Sequence, residues 1–114
     1  MADGIVYVDE ADGVKRVMNN MKLYVKLLTK FRAENNLNEL NTLLNEGNLE
    51  KAQTAAHTIK GLAGNLSLIE LHKKALEVET QIKGGAVDPA VQAAINACFA
   101  ETITAIDQVL AKNA

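Results

Sequence analysis

AQTAAHTIKGLAGNL, running from Ala52 to Leu66, is the stretch on which the reading of this chain turns. Placed on a helix at ~100° per residue, Leu49, Ala52, Ala56, Ile59, Ala63 and Leu66 fall on one apolar stripe. His57 falls on the other side. Gln53, Lys60, Gly61 and Gly64 share its strip, because offsets of minus four, plus three, plus four and plus seven return to one helix face. A glycine inside a helix costs about 0.8–1 kcal/mol relative to alanine, and this helix carries two, one and two turns past the histidine. The stripe that packs against a neighbour lies opposite, where Ala52, Ala56 and Ala63 already allow close approach. The glycines are therefore expected to provide access, clearing side chains from beside an exposed imidazole. Lys60, one turn away, adds positive charge that suits an incoming anion. An anion delivered to a histidine points to a phosphoryl group.

Outward from this stretch the chain is punctuated into further helices. Gly47 ends the preceding one and Asn48 caps the His57 helix. Upstream, Tyr24, Leu27, Leu28 and Phe31 repeat at threes and fours, an amphipathic helix from Asn20 to about Glu34 with both aromatics in the core. Leu37, Leu40, Leu43 and Leu44 keep the helical spacing on a stripe rotated by roughly half a turn, which predicts a break near Asn35 and Asn36 or a bend in one continuous helix. Asp9 is an N-cap for a short first helix through Val17 or Met18, with Glu10 and Asp12 in its first turn. Residues 1–8 are expected to be an irregular lead-in.

Downstream, Ser67 with Glu70 three positions later reads as a capping box. The helix it opens carries Leu68, Leu71, Ala75, Val78 and Ile82 on one side, and Glu79 falls within that inward arc. A carboxylate there needs a polar partner or a route to the edge, because burial without one is costly. His72 also points to the apolar side and reads as a packed histidine with one satisfied ring nitrogen. Gly84 and Gly85 close this helix. Asp88 and Pro89 then open a last one, with Val91, Ile95, Cys98, Thr102, Ile106, Val109 and Leu110 in its apolar stripe. Short connections between amphipathic helices, with no strand pattern, predict an all-α antiparallel four-helix bundle with an additional short N-terminal helix.

The chain has 114 residues, 48% of them hydrophobic. That suffices for one core, expected over residues 9–114, but not for a nucleotide-binding lobe beside it. A formal charge of -2 and the lack of a basic run predict no general affinity for nucleic acid or membranes. The single cysteine, Cys98, reads as a buried small hydrophobe. With no secretory signal and no span able to cross a bilayer, a cytoplasmic protein is expected. No ligand set for a metal accompanies His57 or His72.

The run AHTIKGLAGNL resembles the signature of histidine-containing phosphotransfer (HPt) domains: an Ala-His pair, a hydrophobic residue, Lys-Gly, small residues and a Leu or Ile. GVKRVMNNMKLYVKLLTKF, residues 13–31, is similar to that family's preceding helix, and LHKKALEVE, residues 71–79, to the one that follows. Two positions depart from the pattern. Ser67 stands where glycine is usual, and Leu62 where a small residue is commoner; both bear on the shape of the partner surface. The resemblance implies that His57 is the phosphoacceptor and that Glu79, 22 residues later, accepts a hydrogen bond from its ring. An edge carboxylate paired with a lysine is the alternative for Glu79.

The resemblance further implies a carrier that takes a phosphoryl group from an aspartyl phosphate on a response-regulator receiver domain, or from a sensor histidine kinase, and passes it to another receiver; a monomer is expected because His57 must stay reachable. Lys60 would stabilise the phosphoryl oxygens, while Gln53, Gly61 and Gly64 would meet the partner. No cofactor of its own is expected, Mg²⁺ coming with the receiver. No kinase activity is expected either, since no Gly-rich phosphate loop is present. A chemotaxis-type kinase's phosphotransfer domain, supplied from ATP by a separate catalytic domain, is the second reading. A helical interaction module with an incidental histidine is the third.

Overall fold

Helix α4, Leu49–Asn65, forms where the apolar stripe predicts it and begins at Asn48, whose side chain accepts from the Lys51 amide. Its buried face is Ala52, Ala55, Ala56, Ile59 and Ala63, one alanine more than the stripe contains. The computed structural model describes residues 5–34 and 36–113. Among these are α1 (Glu10–Arg16), α2 (Met21–Ala33), α3 (Asn36–Asn45), α5 (Ile69–Lys83) and α6 (Pro89–Lys112) besides α4, and no strand.

These helices form an antiparallel four-helix bundle with α1 added outside it. α4 packs on α5 and α5 on α6, while α2 and α3 together supply the remaining member, α3 against α4 and α2 against α6. The helix from Asn20 ends where its spacing suggests, with Asn20 as its N-cap and Glu34 as its C-cap. Glu34 is already extended, at φ -82 and ψ 137, and α3 restarts at Asn36; Asn35, where the break was expected, lies outside the described residues. Leu40, Leu28, Phe31 and Tyr24 are buried, so the rotated leucine stripe still reaches the common core. α3 is also tied to α6 by amides: Asn41 donates to Asn96 at 2.7 Å and Gln92 donates to Asn41 at 2.9 Å. In α6, Asp88 caps and Pro89 opens the helix. Phe99, outside the predicted stripe, lies 5.8 Å from Phe31 between ring centroids. Cys98 is buried and unpaired, and burial raises its thiol pKa.

Residues 5–8 are not helical, and the first four of the expected lead-in lie outside the described residues. Asp9 caps α1, accepting from the Asp12 amide at 3.1 Å. Gly13 lets α1 sit directly on α2, because a β-carbon at this position would collide with the Tyr24 ring. The Tyr24 hydroxyl donates to the Leu66 carbonyl at 2.7 Å, and burial pushes its pKa up to about 12.

The capping box at Ser67 is not formed. Leu68 occupies the N-cap of α5 without a side-chain cap bond, and Ser67 closes α4 instead. It has φ 57, the left-handed conformation of the residue after a helix end, and the Leu68 amide returns to the Ala63 carbonyl at 2.8 Å. Glycine enters this conformation freely, whereas a residue with a β-carbon pays roughly 1–2 kcal/mol. Serine gains a compensating contact: its hydroxyl donates to Asp12 Oδ2 at 2.5 Å, and the Asp9 amide donates to the Ser67 carbonyl at 3.0 Å. Glu70 pairs with Lys73 rather than capping. No helix among the described residues is long and apolar enough to cross a membrane.

Candidate functional site

His57 sits in the middle of α4 with its side chain 67% exposed, while the Glu79 side chain, reaching across from α5, is only 6% exposed. Glu79 Oε2 lies 3.1 Å from His57 Nδ1, and Oε1 accepts from Lys60 Nζ at 2.7 Å. One buried carboxylate thus joins both residues: Glu79 faces His57 and is also paired with a lysine, but from a buried position and not from the edge. Lys60 is 24% exposed. Its ammonium, and after it the His57 ring, hold the Glu79 carboxyl below the usual glutamate range against the opposing effect of burial. An ionised carboxylate can only accept, so the ring proton of neutral His57 belongs on Nδ1 and the lone pair on Nε2. Among the described residues Nε2 has no hydrogen-bond partner.

The rest of the strip divides. Gly61 is exposed and a β-carbon there would meet nothing within 4 Å, which is the access its sequence suggests. Gly64 is different. A β-carbon would stand 3.3 Å from His72 Nδ1, so this glycine makes room for a neighbouring helix, the packing role assigned above to the opposite face alone. The physical reason is that α5 crosses α4 beside the strip. His72 is half-buried, as its position suggests, and Nδ1 donates to the Lys60 carbonyl at 3.1 Å. Gln53 is half-buried on the same strip.

A groove of about 450 Å³ runs along α4 past Lys60, Gly61 and Gly64, with Arg16 and Lys73 also in its walls. Arg16 is bonded to Asp12 at 2.8 Å, and Arg16, then Ser67, hold the Asp12 carboxyl below its usual range. The i, i+4 spacing of Asp12 and Arg16 was the available sequence signal for this pair. On the other flank a hollow of about 190 Å³ opens between α2 and α4, lined by Leu27, Phe31, Leu62 and Leu66 with Lys30, Glu34 and Asn65 also in its walls. Leu62, one of the two departures from the motif, therefore builds part of its wall. No group of three or more potential metal ligands occurs among the described residues.

A family model described as Hpt domain matches residues 26–111, three-quarters of the chain, including His57, Lys60 and Glu79. The chain belongs to the Hpt domain family. Hpt domains are phosphocarrier modules of phosphorelays, interacting with receiver and kinase domains, and the helical bundle is of that kind. Neither curated proteins nor solved structures give a match to the chain. Within the Hpt match the Ala56-His57 pair and Lys60-Gly61 occupy the middle of α4, at the height where α5 supplies Glu79.

Proposed function

We propose that this Hpt domain, with residues 9–114 as one unit, is a cytoplasmic phosphorelay carrier that accepts a phosphoryl group on His57 Nε2 and hands it to a receiver domain. The observation that carries this reading is the pairing of an exposed imidazole with a buried carboxylate at Nδ1. Glu79 holds the ring in the tautomer whose lone pair is outermost. In the accepting step that lone pair attacks phosphorus, the bond to the donor's aspartate oxygen breaks, and the electron pair leaves with the donor's carboxylate. The ring proton stays on Nδ1, where Glu79 offsets the positive charge that develops.

Lys60 lies close enough to the ring's carboxylate partner to share it, and swinging its ammonium outward would place a positive charge beside the transferred oxygens. Such transfer depends mainly on positioning and electrostatics. Mg²⁺ and the other charged groups would come with the receiver. Gly61, the exposed edge of Gly64 and Gln53 would lie under the partner, and the hollow lined by Leu27, Phe31, Leu62 and Leu66 would take an apolar side chain from it. A transient contact of this kind is small, and a monomer keeps the strip open.

The chemistry at His57 is the same whether the donor is an aspartyl phosphate or a kinase using ATP. The test is to incubate wild type and His57→Gln with a phosphorylated receiver and Mg²⁺, and separately with a histidine kinase and ATP. Acid-labile, alkali-stable label on wild type alone is expected, and the arm that labels identifies the donor class. Equal labelling of His57→Gln, or no label on wild type from a panel of receivers and kinases, would overturn the assignment.

A further inference from the structure

Glu79 can serve His57 and Lys60 together only if α5 lies at one height along α4. A slide by one residue's rise, about 1.5 Å, stretches a 3.1 Å contact beyond the ~3.2 Å limit of a good N–H···O bond. The turn at Ser67 ties the start of α5 to the end of α4, the Leu68 amide bonding the Ala63 carbonyl; beyond it the two helices meet through apolar side chains. Four of the five buried residues of α4 are alanines, Ile59 being the exception, and such low relief gives shallow ridges and grooves. A further directional contact, nearer the site, is present two turns before Glu79.

His72 and Glu79 are seven residues apart and so share a side of α5. The His72 ring rests over Gly64, 3.3 Å from where a β-carbon would stand, and its Nδ1 lies 3.1 Å from the Lys60 carbonyl. A carbonyl only accepts, which puts the ring proton on Nδ1. Lys60 is therefore held by α5 twice: its main chain by His72 and its ammonium by Glu79. We propose that His72 is a positioning residue for His57, its ring seated on Gly64 and bonded to the Lys60 carbonyl so as to fix the height of Glu79 and thereby the tautomer of His57. Glycine at 64 suits that seat, because a β-carbon would stand 3.3 Å from the ring and force it to give by a few tenths of an ångström.

The inference extends the carrier reading, but its main readout needs no phosphate. Ring ¹⁵N signals of His57 report which nitrogen is protonated, and can be recorded on wild type, His72→Phe and His72→Asn. Phenylalanine keeps a ring and removes the donor; asparagine places an amide nitrogen where Nδ1 was. Wild type is expected to show the Nδ1-H form at neutral pH. His72→Phe should show a mixture of both forms and transfer phosphate on the order of tenfold more slowly, in line with the cost of small misplacements. His72→Asn should recover both properties.

A folded His72→Phe with wild-type His57 signals and rate would overturn the proposal, as would His72→Asn behaving like His72→Phe. Should His72→Phe fail to fold, Gly64→Ala presses the ring off its seat by a few tenths of an ångström while leaving the donor. It is expected to mix the tautomers in the same way, and unchanged His57 signals in it would equally refute the seat. If wild type takes no label from any donor, the carrier reading fails, and the ring signals still decide the role of His72.

Discussion

Replacing Glu79 by alanine removes the acceptor of both His57 and Lys60, and its effect on stability can be bounded from their surroundings. Breaking a fully buried ion pair costs about 3–5 kcal/mol because a charge is left stranded. Here the carboxylate is buried, but Lys60 is 24% exposed and its long side chain can carry the ammonium into water. The stranded-charge penalty therefore falls away. What remains is a charge-assisted hydrogen bond, about 1.5–3 kcal/mol, reduced by the carboxylate's own lost burial cost. A loss of about 1–2 kcal/mol is expected at pH 7, or a drop in Tm of roughly 5–10 °C for a domain of this size.

The pH dependence has a definite sign. Lys60 holds the native Glu79 pKa below the ordinary value of 4.5, so the unfolded chain takes up this proton first as the pH falls. The stabilisation is complete above the unfolded value and is lost as pH drops through the lower native one. Urea unfolding followed by circular dichroism at pH 7, 5 and 3 should show the full gap between wild type and Glu79→Ala at pH 7 and 5, and a narrower one at pH 3. A gap that is constant with pH, or that widens in acid, would refute the charge-pair argument. In a cycle with Lys60→Met, most of the gap should vanish once Lys60 is gone.

Gly61→Ala should stabilise the domain by about 0.8–1 kcal/mol, the ordinary helix-interior gain, because the added methyl meets nothing; denaturation curves check this, and slower phosphoryl transfer in the same variant would mark the surface as one the partner covers. Gly13→Ala drives a β-carbon into the Tyr24 ring and should cost about 1–3 kcal/mol by overpacking, with amide exchange rising first in α1. Ser67→Gly trades relief of a left-handed backbone for loss of the bond to Asp12. In an Asp12→Ala background that bond is already absent, so Ser67→Gly should then stabilise by roughly 1–2 kcal/mol, measured by urea unfolding.

The helices were legible because their signals are local: Asn48, Asp88 with Pro89, Gly47 and the three-and-four spacing all act within one element. So was the pairing of His57 with Lys60 on one strip, which helix geometry alone dictates. Glu79 was legible only as an inward carboxylate with two possible partners, since spacing along α5 says nothing of its height against α4. For the same reason Gly64 was read as clearance for a partner when it receives His72. Ser67 followed a good local pattern, S-x-x-E, that lost to a nonlocal one, the hydroxyl bond to Asp12 on a helix 55 residues upstream.

The two ends of the bundle are fastened by different chemistry. Where α4 turns into α5, Ser67 holds α1 through the carboxylate of Asp12; at the opposite end Asn41, Asn96 and Gln92 hold α3 to α6 through neutral amides. Acid can weaken the first fastening and has nothing to titrate in the second. Below the native pKa of Asp12, itself held under the ordinary carboxylate value, α1 loses that charged acceptor, while the Asp9 amide bond to the Ser67 carbonyl and the seat of Gly13 on Tyr24 stay in place. Arg16, no longer bound to a charged Asp12, would then be free to move in the wall of the groove that passes Lys60 and Gly61, so acid reshapes the docking platform before it unfolds the protein.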